Sequence, residues 1–471
     1  MSTDLAQIAV HHRHPRLIIE YSTLASPLLP SENAKYNHPM HLTGLQLENF
    51  RNHTSLVQTF SPGITLIYGP NGAGKTNILE AIYLLSTGKS NRAGKVIEMV
   101  NWDADLGRVL AKLESSESPV VAQQSRSKSE QTSNSRHPEL DSGSPTELGR
   151  TSPRPSPKRR RQPDPKAQDS SISQDDAALK LELTLTRGSL HGQKIPYKKF
   201  SIDGVNRSQK KFAYQFNVVW FGPADMRLIE GSPTRRRDFL DETISQINPE
   251  YAYALRELTK LLPRRNQVLF QIREKTIPLN QLKYWDQQLC ILSEQIHNAR
   301  QNFVDFINQQ GQRHPELDSG SPSELTDNMK VKTKLDYFDH YFLQYTPKTI
   351  SFAALPEIRN REIATATTLR GPHRDDFDVT DAALTTDPVS LRTYGSRGQQ
   401  RMAIIWLKLM ALEFIAADRG VRPILLLDDV MSELDTDHRD VIHNLITKQQ
   451  TIITSAEHLK IGQTEETHLK P

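Results

Sequence analysis

The chain has 471 residues, 36% hydrophobic and 24% charged, which is enough apolar material for a sizeable core and for two lobes. Its one cysteine, Cys290, excludes a disulfide framework and a Cys-based zinc site within the chain, and no run approaches 18 uncharged apolar residues or has the form of a secretion signal. The formal charge of +4 tempts a nucleic-acid reading, but residues 150–166 carry seven basic groups against Asp164 alone; removing that net +6 from +4 leaves −2, so the basicity belongs to one tract.

In chain order, residues 1–39 are polar and show no periodic pattern. The apolar run Ile64 to Tyr68 predicts a buried strand, and Ile78, Leu79, Ile82 and Leu85 predict a helix directly after it. Residues 114–176 are rich in Ser, Pro, Gln, Arg and Lys and cannot bury enough surface to offset ordering, so disorder is expected there. Arg136 to Leu148 recurs almost unchanged at Arg313 to Leu325, with Thr146 replaced by Ser323; a short isolated repeat of this kind is not a solenoid period and reads as a mobile element inserted twice into tolerant loops. Leu179 to Thr186 alternates as a half-buried strand, and Leu240, Ile244, Ile247 and Tyr251 recur at helical spacing.

Between strand and helix lies Gly69-Pro70-Asn71-Gly72-Ala73-Gly74-Lys75-Thr76, a phosphate-binding P-loop in strand-turn-helix context. Its glycines let backbone N–H groups curl around phosphates at a helix N-terminus, Lys75 reaches the β- and γ-phosphates of ATP, and the Thr76 hydroxyl can hold Mg²⁺. Ile424 to Leu427 is an apolar run that ends in Asp428 and Asp429: Asp428 would join Thr76 on the metal, and Asp429 would stand where water attacks the γ-phosphate. Ser396-Arg397-Gly398-Gln399 opens a long amphipathic stretch and supplies a second anion site at a helix N-terminus. Taken alone, the acid pair could be a turn and the Ser396 segment an ordinary cap. Their order argues otherwise, because Ser432-Glu433-Leu434-Asp435 follows directly.

With these motifs the chain resembles the ATP-binding-cassette ATPase heads of the SMC-like class and, within it, the RecF family. Met40 to Asn52, Trp220 to Asp225, Gly231 to Asp241 and Leu369 to Asp376 carry the likeness, which runs from Met40 to about Glu457. It implies an α/β fold, a P-loop ATPase head (lobe I) with an inserted, mainly helical lobe II. Residues 1–39 would be an extension from a mis-assigned start, 40–231 the first part of lobe I with the 114–176 insert, 232–348 lobe II with a repeat insert at 312–326, and 349–471 the rest of lobe I. No sustained heptads separate Thr76 from Gly395, so a coiled-coil arm is excluded.

The resemblance further implies a weak, DNA-dependent ATPase in the cytoplasm that forms an ATP-dependent homodimer. Ser396, Arg397, Gly398 and Gln399 would act on ATP held by the opposite chain, with Ser432 and Asp435 forming a D-loop. The partners would be single-stranded and gapped or double-stranded DNA, RecO and RecR, at single-strand gaps where RecA is loaded and in the SOS response. Arg235, Arg236 and Arg237 are candidate DNA contacts; the plain alternative is a solvated first turn after the Ser232 cap. Asp429 stands where transporters carry Glu, and His458 lies too late for a switch histidine. A monomeric P-loop nucleotide or metabolite kinase and a non-hydrolysing clamp remain the competing readings. Deleting residues 1–39 and 118–172 together is expected to leave melting temperature and ATP binding nearly unchanged; a fall of several degrees, roughly 1–2 kcal/mol for a domain of this size, would show that these segments pack.

Overall fold

The computed structural model describes residues 40–115, 178–190, 192–311, 338, 340–383, 388–433, 446–459 and 464–469. The expected extension at 1–39, nearly all of the expected insert at 114–176, the repeat insert at 312–326 and Asp435 lie outside these residues.

The chain opens with the hairpin β1 (Met40–Phe50) and β2 (His53–Thr59), then β3 (Ile64–Tyr68) leads through the P-loop into α1 (Lys75–Thr87). β4 (Leu106–Ser115) and β5 (Ala178–Thr186) follow, then the short β6 (Ser189–Leu190) and β7 (Gln193–Lys194), and the hairpin β8 (Lys198–Ile202) and β9 (Val205–Arg207). After α2 (Gln209–Phe212) and β10 (Val218–Phe221) come three helices, α3 (Pro233–Ser245), α4 (Pro249–Arg273) and α5 (Leu282–Gly311). β11 (Tyr341–Thr346), α6 (Leu355–Thr365), β12 (Asp376–Asp381), β13 (Val389–Ser390) and α7 (Leu391–Tyr394) lead to the long α8 (Arg397–Arg419). β14 (Ile424–Asp428), β15 (Thr451–Ser455) and β16 (Glu465–His468) complete the described order.

Two large sheets sandwich α1. One is antiparallel, in the order β2-β1-β4-β5-β8-β9; the other is parallel, in the order β10-β14-β15-β3-β16. The central parallel strands are buried on both faces and read as continuous apolar runs. Alternation decides which residue faces which layer. On β14, Ile424 and Leu426 join α1 and the antiparallel sheet, whereas Leu425 and Leu427 join α8 and the helical hairpin of α4 and α5. The last described strand, β16, pairs parallel with β3, which places β3 inside the sheet beside the P-loop.

The division expected near residue 348 falls inside a packed unit. β11 pairs antiparallel with β12, Tyr341 opposite Asp381, and Leu343, Phe377 and Val379 share one core cluster with Phe303 and Ile307 of α5. Residues on both sides of 348 therefore pack as one layer with the helices. Its centre is polar. Asp375, fully buried, accepts hydrogen bonds from Arg300 Nη1 (2.7 Å), the Lys348 backbone (2.7 Å), His297 Nε2 (3.2 Å) and the Tyr345 hydroxyl.

Burial alone would push the Asp375 carboxyl up, but the hydrogen bonds from His297, Tyr345 and Lys348 outweigh it and hold the group below the usual carboxylate range. Its stabilising contribution is therefore present above the unfolded value, about pH 3.9, and is lost as pH falls through the lower folded value. Asp375→Ala leaves Arg300 buried beside a missing partner and is expected to lower unfolding stability by about 3–5 kcal/mol in urea denaturation, with a flatter acid limb than the parent. A loss below about 1 kcal/mol would show that the cluster contributes little.

Candidate nucleotide site

The P-loop bends because three of its positions take positive φ: Gly69 (153°), Gly72 (87°) and Gly74 (93°). At Gly74, which caps the N-terminus of α1, a β-carbon would lie 2.4 Å from His53 Nε2 and 2.6 Å from Asn52 Oδ1. Those two side chains brace the loop from the β1–β2 turn. Asn52 Nδ2 donates to Gly72 O (3.1 Å), and His53 Nε2, in its N–H tautomer, donates to Gly74 O (3.1 Å). Burial holds the His53 ring below its usual range and keeps it neutral. Asn77 Nδ2 closes the brace onto Asn52 Oδ1 at 2.7 Å.

Lys75 Nζ donates to the carbonyls of Gly69 (2.7 Å) and Pro70 (2.9 Å), so its ammonium is fixed over the loop it serves. Thr76 and Asp428 lie 352 residues apart in the chain, yet Thr76 Oγ1 donates to Asp428 Oδ1 at 2.8 Å, and Thr454 Oγ1 on β15 donates to the same oxygen at 2.9 Å. Burial pushes the Asp428 carboxyl up despite these bonds. The donors are hard oxygens, a hydroxyl and a carboxylate, which fit Mg²⁺ completed by phosphate oxygens and water. Among the described residues there is no cluster of three or more His, Cys, Asp or Glu that could hold a metal ion.

Asp429 turns away from β14 in the left-handed region (φ 52°), held there by its backbone N–H on Thr454 O (3.0 Å) and Oγ1 (3.2 Å). A non-glycine residue in that region costs of order 1 kcal/mol, a cost typical of functional sites. Arg92 was not singled out by the sequence. It lies in the loop after α1, donates to Asn77 Oδ1 at 3.0 Å, and its charge lowers the carboxyl range of Asp428. No spacing rule marks a lone arginine in a loop.

Ser396 caps α8: its Oγ accepts from Gln399 N (3.3 Å), and Gln399 Oε1 accepts from Ser396 N (2.8 Å). Ser396 and Arg397 are exposed, with Gly398 next in the same turn, and among the described residues no hydrogen bond joins Ser396, Arg397, Gly398 or Gln399 to the P-loop of their own chain. Further along α8, Lys408 Nζ reaches Trp220 O (2.8 Å) and Asp225 Oδ1 (2.8 Å), which anchors the helix to the Trp220–Asp225 block. Ser432 falls in the 3₁₀ turn Val430–Glu433 that follows Asp429.

The arginine triplet is corrected. Arg236 is buried at 2% exposure, forked onto Asp376 (2.6 and 3.0 Å) and onto the carbonyls of Ile229 (3.0 Å) and Gly231 (2.7 Å), so it cannot meet DNA. Arg237 donates to Asp375 O (2.9 Å) and Thr234 Oγ1 (3.0 Å), which leaves Arg235 as the exposed member. Helical geometry explains the split, since three successive residues point in three directions. His458 Nε2 meets Glu466 Oε2 at 2.9 Å and lies edge-on to Tyr68, among the groups beside β16.

A family model described as an AAA domain matches residues 44–347. The DNA replication and repair protein RecF of Acetivibrio thermocellus is 31% identical over 425 residues, 89% of this chain and 94% of that protein. The protein of the same name from Herpetosiphon aurantiacus is 32% identical over 428 residues, with the same coverage of both. A solved structure of the recombination mediator protein RecF with ATP, of the RecFOR pathway, superposes with a TM-score of 0.64 at 24% identity, covering 91% of this chain and 95% of the other. The fold is that of an AAA-type P-loop ATPase of mixed α/β class. No helix among the described residues is long and apolar enough to cross a membrane.

Gly74→Ala is expected to weaken ATP binding by roughly tenfold or more, about 1.4 kcal/mol, because the new methyl group must displace His53 or Asn52 at a strained φ. Titration calorimetry with ATP reads this directly. Parent affinity would show that the brace gives way without disturbing the loop.

Proposed function

We propose that this chain, which belongs to the RecF family of DNA replication and repair proteins, is an ATP-gated DNA clamp of slow turnover. Two chains pair head to tail, so that the P-loop of one faces the Ser396 helix of the other. The observation that carries this reading is the pairing of a complete half-site, Thr76 on Asp428 at 2.8 Å beside the Lys75 loop, with a capped α8 terminus that is exposed and unconnected to that loop in its own chain. A monomeric kinase needs no such exposed second anion site. DNA in single-stranded, gapped or double-stranded form, together with RecO and RecR in the cytoplasm, completes the partner set through the family.

Each residue then has a separable task. The backbone from Gly69 to Gly74 and the Lys75 ammonium bind the β- and γ-phosphates. Thr76 and Asp428 hold Mg²⁺, which supplies charge neutralisation on the phosphate oxygens. The Asp429 carboxylate orients the attacking water and accepts its proton. It is one methylene shorter than glutamate, which supports a slow step. Ser396 and the N–H groups after it donate to the γ-phosphate held by the partner chain; the D-loop role of Ser432 and Asp435 rests on the family resemblance alone.

Size-exclusion chromatography with ATP and with ADP, combined with phosphate release, tests the set. The parent should dimerise with ATP only. Lys75→Ala should lose ATP affinity, and Asp429→Asn should bind and dimerise while turnover falls by about 100-fold or more. Ser396→Arg should bind ATP as a monomer, losing dimer and turnover together, and mixing it with Lys75→Ala chains should restore at most one working site per heterodimer. Parent-level turnover by Asp429→Asn would leave a different base, and an ATP-bound Ser396→Arg dimer at parent rate would overturn the head-to-tail arrangement.

A further inference from the structure

A group of cations without carboxylate partners lies at the end of α1 remote from the P-loop. There Lys198 Nζ donates to Gly88 O at 2.8 Å and Gln209 Nε2 donates to the same carbonyl at 3.2 Å, which draws β8 and α2 against the loop carrying Lys89. Arg207 on β9 stands opposite Phe200, whose ring packs on Phe212 of α2 at 5.0 Å, so Arg207 lies on the α2 side of the sheet with Lys198. Lys210 and Lys211 follow on α2 itself. Lys89, Arg207, Lys210 and Lys211 are exposed, and none of the four makes an ion pair or a side-chain hydrogen bond among the described residues. On the same sheet Arg108 pairs with Glu48 and Lys112 with Glu114.

Lys198 has a local explanation, because a cation satisfies the carbonyl and the negative dipole end of α1. The other four do not. A solvated helix face usually mixes signs along one element, whereas these cations come from a loop, an edge strand and a short helix that tertiary contacts bring together. The one acid in residues 198–211, Asp203, is turned aside onto the backbone N–H of Lys180 at 2.8 Å. Burial, and after it the neighbouring Lys89 charge, hold Lys198 below the usual lysine range. Outside residues 150–166 the chain is net acidic, so a local excess of this kind repels itself unless a polyanion relieves it.

We propose that this face, Lys89, Arg207, Lys210 and Lys211 around Lys198, is where the chain grips the sugar-phosphate backbone of DNA. The proposal rests on the DNA-clamp reading above and deepens it by naming the contacts. Four cations spread over successive elements along the β9 edge match several phosphates in a row and no single small anion, and they carry no base-reading arrangement. α1 has 13 residues and so separates this face from Lys75 by about 20 Å. ATP phosphates at its positive end and DNA phosphates near its other end would thus share one rigid helix.

The test uses the full chain with Lys89→Glu, Lys210→Glu and Lys211→Glu combined, leaving Lys198 to cap α1. Fluorescence anisotropy with labelled duplex and single-stranded DNA, in ATP and across a salt series, should show affinity lowered by about tenfold or more. The dependence of log affinity on log salt should flatten by about 2 to 3 units, nearly one per cation removed. ATP binding and ATP-dependent dimerisation should stay at parent level. Lys275→Glu with Lys283→Glu, exposed on the loop and helix start between α4 and α5, reverses charge on other elements and should change DNA binding little. Parent-like affinity and slope in the triple variant, or an equal loss in the control, overturns the assignment of this face. A parent chain that binds neither DNA form in any nucleotide state removes the clamp reading itself, and this proposal with it.

Discussion

The structure depends on the burial of the P-loop helix. Eleven of the thirteen residues of α1 are buried, Lys75 and Glu80 among them, so the helix that presents phosphate-binding N–H groups is itself the layer between two sheets. Burying Glu80 requires its charge to be met, and Arg51 meets it with a two-pronged contact at 2.9 and 2.6 Å, helped by Ser90 at 2.5 Å. Arg51 itself sits at φ 55°, one of two left-handed residues that turn β1 into β2. The same turn delivers Asn52 and His53 to the loop carbonyls. One buried carboxylate thus fixes the turn, the turn fixes the brace, and the brace holds the phosphate loop in shape before any nucleotide arrives.

A second polar centre organises the helical side by the same logic. Arg265, fully buried, bridges Asp286 (2.8 Å) and Glu362 (2.6 Å), while Arg300 bridges Asp241 (2.8 Å) and Asp375 (2.7 Å). Such pairs seldom add much net stability over an apolar core of the same shape, but each tolerates only one arrangement of its helices. They tie α4, α5 and α6 to the start of β12. Arg236 on Asp376 then ties α3 to the same strand. The blocks around residues 231–241 and 369–376 stand out in the sequence, and in the structure they meet each other as an internal scaffold.

Charge illustrates how position outweighs totals. The net value of +4 is produced by a tract outside the described residues, and the arginine triplet that looks most basic on paper is largely consumed by internal partners. The exposed excess lies where no run exists in the sequence: Lys89 and Lys210 are 121 positions apart, and their segments are joined where Lys198 and Gln209 donate to the Gly88 carbonyl.

The P-loop, the acidic end of β14 and the capped start of α8 are legible in the sequence by themselves, because each depends on local rules: glycine where φ is positive, an apolar run ended by acids, Ser and Gln three residues apart. The alternation of residues 179–186 likewise predicts the half-buried strand that is observed as β5. What the sequence could not decide is everything set by contacts between distant segments. The brace from Asn52 and His53, the place of Arg92, the β11–β12 pair across residue 348 and the inward turn of Arg236 have no spacing signature. Each depends on which surfaces meet once two sheets close over α1, and burial, acting on whole faces, selects among residues whose local propensities are the same.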